Sequence, residues 1–133
     1  KYFNELQKLS ENLFKDLKIP FRVVNICTGD LGNKQSLQYD IEAWFPAQND
    51  GKGRYREVTS CSNCTNYQAV NLNTKFLSKD GKKDYVHLLN NTAITDTRPI
   101  AAILENYQTK QGTVKIPKVL QPYMNGITEI KPK

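Results

Sequence analysis

Residues 39–45 carry the pattern that most restricts the fold of this chain, a regular alternation of side chains. Successive side chains of a strand point to opposite faces, so the alternation predicts a strand with one apolar and one more polar face. The inward set is Tyr39, Ile41, Ala43 and Phe45, and the outward set is Asp40, Glu42 and Trp44. After Pro46, a polar loop with two glycines spans residues 48–53, and residues 54–59 are strand-like again. Together these segments predict an antiparallel hairpin with a long loop.

Helical periodicity predicts helices on either side of this hairpin. The first precedes Pro20 and has an apolar stripe of Leu6, Leu9, Leu13 and Leu17 with Phe14 beside them. The second begins near Pro99 and has a stripe of Ile100, Ile103, Leu104 and Tyr107. Shorter elements are predicted as strands at 21–27, 75–77 and 85–89 and as helices at about 63–72 and 117–124. The sum is one α+β domain over residues 1–133, an antiparallel sheet with flanking helices.

Charge and cysteine content exclude few functions. The net charge of +6 suits an anionic partner such as a nucleotide or RNA, but the lysines are scattered, which is typical of a solvated surface. No apolar run approaches the roughly 20 residues that cross a bilayer, so no membrane partner is expected. Cys61 and Cys64 have the spacing of a zinc knuckle, and Cys27 and His87 are the other ligands available. A small zinc-bound RNA-binding domain is therefore one alternative, although His87 is interpreted as a packed strand residue.

A carboxylate and a cluster of hydroxyls meet near the predicted end of the strand at 54–59. Glu57 and Ser60 could supply oxygen ligands to Mg²⁺. The two residues are three apart, so they share a face only if the strand ends near Val58 or Thr59. Alternatively, Glu57 pairs with a neighbouring arginine on the sheet.

Two further polar stretches follow in the sequence. Residues 90–93 come after an apolar strand, where fixed hydrogen-bonding groups could recognise a small substrate hydroxyl or could instead satisfy local backbone. Pro99 suits the first turn of a helix, which places Arg98 at or beside the N-cap. A cation there opposes the helix dipole, but it makes sense if an anion docks at that end. The alternative is a surface arginine paired with Asp96.

Taken in order, these stretches resemble the seryl-tRNA synthetase family along nearly the whole chain. The similar segments are residues 22–24 and 27–32, 39–46, 55–65, 90–93 with Arg98, and 103–108. Residues 90–108 resemble motif 3 of the class II synthetases. The resemblance implies the antiparallel class II catalytic sheet, activation of L-serine by ATP to seryl-adenylate, and transfer of serine to tRNA(Ser) and also to tRNA(Sec).

The resemblance also implies roles for single residues. Glu57 would coordinate Mg²⁺ and hold ATP, with Ser60 beside it, and the ATP-binding stretch is Glu57, Val58, Thr59 and Ser60. Arg98 would clamp the ATP phosphates and stabilise the leaving pyrophosphate. Thr92 would contact the hydroxyl of the substrate serine, with Asn90 supporting it. Catalysis of this kind is mainly positioning and electrostatics, so it needs no general base.

Several parts of the family's pattern have no counterpart in the chain. These are the N-terminal coiled-coil arm, motif 1, which builds a homodimer, and motif 2, which supplies an ATP-binding arginine and a serine-reading carboxylate. The chain is therefore expected to be the C-terminal part of a cytoplasmic catalytic domain and to be inactive alone. Local departures from the family are Asn66, Val70 and Asn71. The alternative is a synthetase-derived, non-catalytic module that binds RNA or nucleotides.

Overall fold

The computed structural model describes residues 1–132, which form a four-stranded antiparallel sheet, two principal helices and two small hairpins. The helices are α1 (Tyr2–Asp16), α2 (Tyr67–Leu72), α3 (Thr97–Tyr107) and a 3₁₀ helix (Lys118–Met124). The strands are β1 (Phe21–Asn25), β2 (Leu37–Phe45), β3 (Arg54–Asn63), β4 (Lys75–Leu77), β5 (Lys83–Tyr85), β6 (Leu89–Asn91), β7 (Val114–Lys115) and β8 (Glu129–Ile130). The predicted α+β class is confirmed.

The main sheet has the strand order β1-β2-β3-β6, and all neighbours are antiparallel. The predicted hairpin is its centre, and β4 with β5 and β7 with β8 form separate two-stranded sheets. The alternation in β2 has the predicted result, because Ile41, Ala43 and Phe45 are almost fully buried.

The hydrophobic core lies on one face of the main sheet, where both principal helices pack. Phe14 and Leu17 from the end of α1 and Ala102 from α3 meet Ile41 and Val58 there. The phenol of Tyr107 joins the two helices by donating a hydrogen bond to the carbonyl of Leu17 at 2.5 Å. Neither principal helix contributes to a core on the opposite face, which we call the open face. Paired residues share a face, so this face carries Arg22, Asp40, Glu42, Trp44, Tyr55 and Glu57.

The predicted stripe of α1 is correct only in part. Phe14 and Leu17 belong to the core and Leu13 packs against it, but Leu9 is 65% exposed, and the buried residues of the first turns are Phe3, Gln7 and Ser10. The helix is rotated because Ser10 exchanges hydrogen bonds with the side chain of Asn91 on β6, at 3.0 and 3.3 Å. A polar contact made with a distant strand thus sets which side of the helix faces the sheet.

Other predicted boundaries also differ from the structure. Strand β3 continues to Asn63 rather than ending at residue 59, and the helix predicted at 63–72 begins only at Tyr67. The strand predicted at 85–89 is divided, because β5 ends at Tyr85 and β6 begins at Leu89. His87 lies between them and is exposed, so its interpretation as a packed strand residue is wrong.

Candidate functional site

A β-bulge brings Glu57 and Ser60 to the same face of β3. Ile41 pairs with Thr59, but the next residue, Glu42, pairs with Glu57, so Val58 is an extra residue on β3. A bulge of this kind shifts the alternation of the strand by one position. Glu57 opposite Glu42 and Ser60 opposite Asp40 therefore both lie on the open face. The expectation that the strand would have to end near Val58 is wrong, because the bulge achieves the same convergence within a continuous strand.

The cavity beside this bulge unites the three predicted stretches. Its volume is about 390 Å³, and it is lined by Glu57, Val58, Thr59, Ser60, Thr92, Thr95, Thr97 and Arg98. The backbone N–H of Thr92 donates to the carbonyl of Ser60 at 2.9 Å, which fixes the chain after β6 against the bulge. A cavity of this volume, lined by convergent polar groups, is typical of a small-molecule site.

Arg98 reaches the cavity from the first turn of α3. Asp96 is the N-cap residue, and its carboxylate accepts from the N–H of Thr97, so Arg98 is the second residue of the helix. Its Nη1 donates to the backbone carbonyl of Glu57 at 2.7 Å and lies 3.3 Å from the carboxylate oxygen Oε2 of Glu57. The alternative pairing with Asp96 does not occur. The pairing of Glu57 with an arginine does occur, but the arginine comes from α3 rather than from the sheet.

The remaining predicted residues have different positions. Val58 belongs to the core and Thr59 is buried, so they form the wall of the cavity while their neighbours present the polar groups. Asn90 lies in β6 opposite Ser62, and it is not among the residues that line the cavity. Its support of Thr92 remains a prediction. Thr95 and Thr97 line the cavity and were missed, although hydroxyls flanking Arg98 in the sequence were a signal.

Carboxylates are concentrated on the open face next to the cavity. Asp40 is buried, and Nε2 of Gln38 donates to its carboxylate at 2.8 Å. Burial raises the pKa of Asp40 above its usual 3.8, and the nearby charges of Glu57 and Glu42 raise it further. The positive charges of Arg98 and Arg22 therefore balance a region that is rich in carboxylates.

The donor set suits Mg²⁺ only when a ligand completes its shell. Within residues 1–132, no group of three or more His, Cys, Asp or Glu side chains is placed to hold a metal ion. Glu57 and Ser60 offer two oxygens on one face, and Mg²⁺ commonly binds through one or two protein oxygens together with substrate phosphates and water. The residues present thus fit an ion that arrives with a nucleotide.

The cysteines offer little support for a zinc site. Cys61 and Cys64 are buried and Cys27 is exposed, and all three are free thiols. Burial raises the pKa of Cys61, which disfavours the thiolate that zinc requires.

A second cavity of about 420 Å³ is lined by Lys18, Lys115 and Lys118 with Tyr107 and Glu129 among others, and it contains none of the predicted site residues. In the described part of the chain, every helix is too short or too polar to cross a membrane.

Comparison with known proteins places this geometry in a family. Residues 1–107 match the model of the class II tRNA synthetase core domain (G, H, P, S and T). The serine–tRNA ligase of Dictyoglomus thermophilum is 57% identical over 125 residues, which are 94% of this chain and 28% of that protein. The enzyme of Pyrococcus abyssi is 58% identical over 124 residues, which are 92% of this chain and 26% of that protein.

Solved structures agree with the sequence comparisons. The seryl-tRNA synthetase of Pyrococcus horikoshii complexed with ATP superimposes with a TM-score of 0.91 at 52% identity, covering 99% of this chain and 29% of that one. The cytoplasmic serine–tRNA ligase of Naegleria fowleri in complex with AMP gives a TM-score of 0.90 at 45% identity, covering 99% of this chain and 30% of that one. This chain thus spans less than a third of the length of these relatives. The chain belongs to the class II tRNA synthetase core domain family, and the members that it resembles in these comparisons are serine–tRNA ligases.

Proposed function

We propose that this chain forms part of the active site of a serine–tRNA ligase. The reaction is the ATP-dependent activation of L-serine to seryl-adenylate, with release of pyrophosphate, followed by transfer of serine to tRNA(Ser) and tRNA(Sec). The observation that carries the proposal is the convergence of Glu57, Ser60, Thr92 and Arg98 on one cavity. The complexes of similar structures with ATP and AMP support it.

ATP is held from two sides of the cavity. Arg98 donates to the phosphates from the start of α3, where the helix dipole also favours negative charge. Arg98 also pairs with Glu57, and it would exchange that partner for the phosphates when the nucleotide binds. Glu57 and Ser60 would hold Mg²⁺, which would supply charge neutralisation to the phosphates of the bound nucleotide. The walls formed by Val58 and Thr59 complete this side of the site.

The substrate serine is recognised at the other end of the cavity. Thr92 is exposed where the chain leaves β6, and its position is fixed by the hydrogen bond to Ser60. Its hydroxyl contacts the hydroxyl of serine, and Asn90, two residues earlier in β6, supports that contact. A site that hydrogen-bonds a substrate hydroxyl discriminates strongly against an analogue that lacks it.

The remaining parts of the ligase are supplied outside this chain. Because the chain spans only about 28% of the relatives' length, we propose that the groups that read the serine ammonium, the arm that grips tRNA and the homodimer interface belong to other parts of the complete gene product. The proposed location is the cytoplasm, in keeping with the cytoplasmic Naegleria fowleri relative.

Serine-dependent exchange between ATP and pyrophosphate tests the proposal. The complete gene product is expected to catalyse the exchange with serine and not with alanine, whereas residues 1–133 alone are expected to show none. Thr92→Val should raise the KM for serine roughly 3- to 10-fold, the loss of one hydrogen bond. Thr74→Val, at an exposed threonine outside the cavity, is the matched control and should change nothing. Absence of exchange in the complete gene product would refute the ligase and favour the non-catalytic module.

A further inference from the structure

Four charged residues form a row across the open face, with two carboxylates in the middle and an arginine at each end. Nε of Arg22 on β1 lies 2.6 Å from Oε2 of Glu42 on β2. Glu42 lies directly opposite Glu57 on β3, and Glu57 in turn pairs with Arg98 of α3 at 3.3 Å. The row therefore reads cation, anion, anion, cation, and its last two members lie at the proposed nucleotide site.

The two central carboxylates oppose each other electrostatically. Like charges directly opposite on neighbouring strands are destabilising, and here the bulge places them there. In the structure, each carboxylate is balanced by an arginine on its outer side. When phosphates occupy the cavity, Arg98 turns to them, and Arg22 is then the arginine that still balances the pair. Without Arg22, the charge of Glu42 would act on the bound phosphates and compete with Glu57 for the ion.

Arg22 is held in place by more than its ion pair. Its guanidinium carbon lies 4.6 Å from the ring centroid of Tyr55, and that ring packs edge-on against Trp44 at 5.0 Å. A planar guanidinium can stack on an aromatic ring while it donates to a carboxylate, which an ammonium cannot do. The arrangement fixes both the position of Arg22 and the direction in which it holds Glu42.

We propose that Arg22 is a positioning residue of the ATP site, acting through Glu42. By binding the carboxylate of Glu42, it leaves Glu57 as the carboxylate that turns to the nucleotide and its ion. This inference rests on the proposed function, since it assigns Glu57 to ATP. It predicts that the harm done by removing Arg22 comes from the unbalanced charge of Glu42 and not from the loss of packing on Tyr55.

A double-mutant cycle separates these two causes. Arg22→Gln in the complete gene product should raise the KM for ATP about fivefold in the exchange reaction, with the KM for serine unchanged, because a unit charge a few ångströms from the phosphates acts at the protein surface. Arg22→Gln combined with Glu42→Gln should return the KM for ATP to within about twofold of the wild type. Arg22→Lys, which keeps the charge without the stack, should have a KM for ATP close to that of the wild type. Glu11→Gln removes an exposed ion pair on α1 and is the control.

Calorimetry of ATP binding in the presence of Mg²⁺ gives a dissociation constant for each variant, and this comparison does not depend on turnover. If the wild type binds ATP but shows no exchange, the proposed ligase fails while the order of the dissociation constants still tests the role of Arg22. The inference is overturned if Arg22→Gln binds ATP as well as the wild type. It is equally overturned if the double variant is as weak as Arg22→Gln, because the defect then comes from packing. Failure of the wild type to bind ATP overturns both.

Discussion

Replacement of Arg98 by alanine tests whether Arg98 acts mainly in catalysis or mainly in folding. The side chains of Arg98 and Glu57 are 46% and 48% exposed, so their ion pair lies in contact with solvent. The guanidinium also stands in the first turn of α3, where a cation opposes the helix dipole. The ion pair of Arg98 therefore contributes little to folding, and its hydrogen bond to the carbonyl of Glu57 is the one contact that adds to it.

The expected magnitudes differ between folding and catalysis. An exposed ion pair contributes about 0.2–1 kcal/mol, and the hydrogen bond from Arg98 to the carbonyl of Glu57 contributes about 0.5–1.5 kcal/mol. Relief of the unfavourable dipole interaction returns about 0.3–1 kcal/mol. The free energy of unfolding should thus fall by no more than about 2 kcal/mol. If Arg98 stabilises the transferring phosphates, its loss should reduce the rate of exchange about 10²- to 10³-fold, which is about 2.7–4 kcal/mol.

Urea unfolding gives the change in the free energy of unfolding, and serine-dependent ATP–pyrophosphate exchange gives the change in rate. Both are measured on the same complete gene product. Arg54→Ala is the matched control, since Arg54 is an exposed arginine of β3 outside the cavity. The reasoning is refuted if Arg98→Ala lowers the free energy of unfolding by more than about 2 kcal/mol while exchange persists. Unchanged exchange together with unchanged stability would favour the non-catalytic module.

Three further predictions concern the packing that supports the site. Asp40→Asn should be more stable than the wild type by a margin that grows as pH rises. Because the folded-state pKa of Asp40 is raised, the stabilising contribution of its carboxyl group is full below about pH 3.8 and is lost as pH rises through that pKa. Urea unfolding of both proteins from pH 3.5 to 7 tests this, and a difference in the free energy of unfolding that does not change with pH would contradict it. Tyr107→Phe should cost about 1–2 kcal/mol by leaving the carbonyl at the end of α1 without its donor, and an unchanged melting temperature would count against that contact. Gly53→Ala should cost at least about 1 kcal/mol more than Gly51→Ala, because both have positive φ but only at Gly53 would the new Cβ strike the Trp44 ring; equal melting temperatures for the two variants would exclude the clash.

The local patterns of the chain predicted the centre of the fold well. The alternation in β2 and the loop after Pro46 sufficed for the central hairpin, because both signals arise within one short segment. The stripe of α1 was right only in part, because the orientation of the helix also depends on a hydrogen bond between Ser10 and Asn91, residues that lie 81 positions apart. No periodicity within a helix can reveal a partner at that distance.

The predicted stripe of α3 was also correct only in part, because some of its residues contact the C-terminal segment instead of the main sheet. Ile103 and Tyr107 pack against the core, but Ile100 and Leu104 are 54% and 45% exposed. Those two side chains border a small apolar groove that the C-terminal segment completes, with Ile116 and Leu120 on its other side. The apolar surface of α3 thus contacts both the core and the C-terminal segment, and the sequence pattern does not show which residues contact which.

The candidate site was predictable to the extent that its members lie at the ends of recognisable elements. Arg98 could be placed at a helix start from Pro99 alone, and the structure puts it there. The meeting of Glu57 with Ser60 could not be derived, since it depends on an extra residue whose presence is visible only in the pairing of two strands.

The bulge at Val58 is the reason that Glu57 and Ser60, three positions apart, lie on the same face of β3. Two ligand oxygens separated by two residues within one strand can reach the same metal ion only where the pleat is interrupted. Deleting Val58 would leave the sequence of the strand almost intact, yet it would turn one of the two oxygens into the hydrophobic interior. If Glu57 and Ser60 hold the nucleotide as proposed, such a protein would keep both side chains and still lose its affinity for nucleotide.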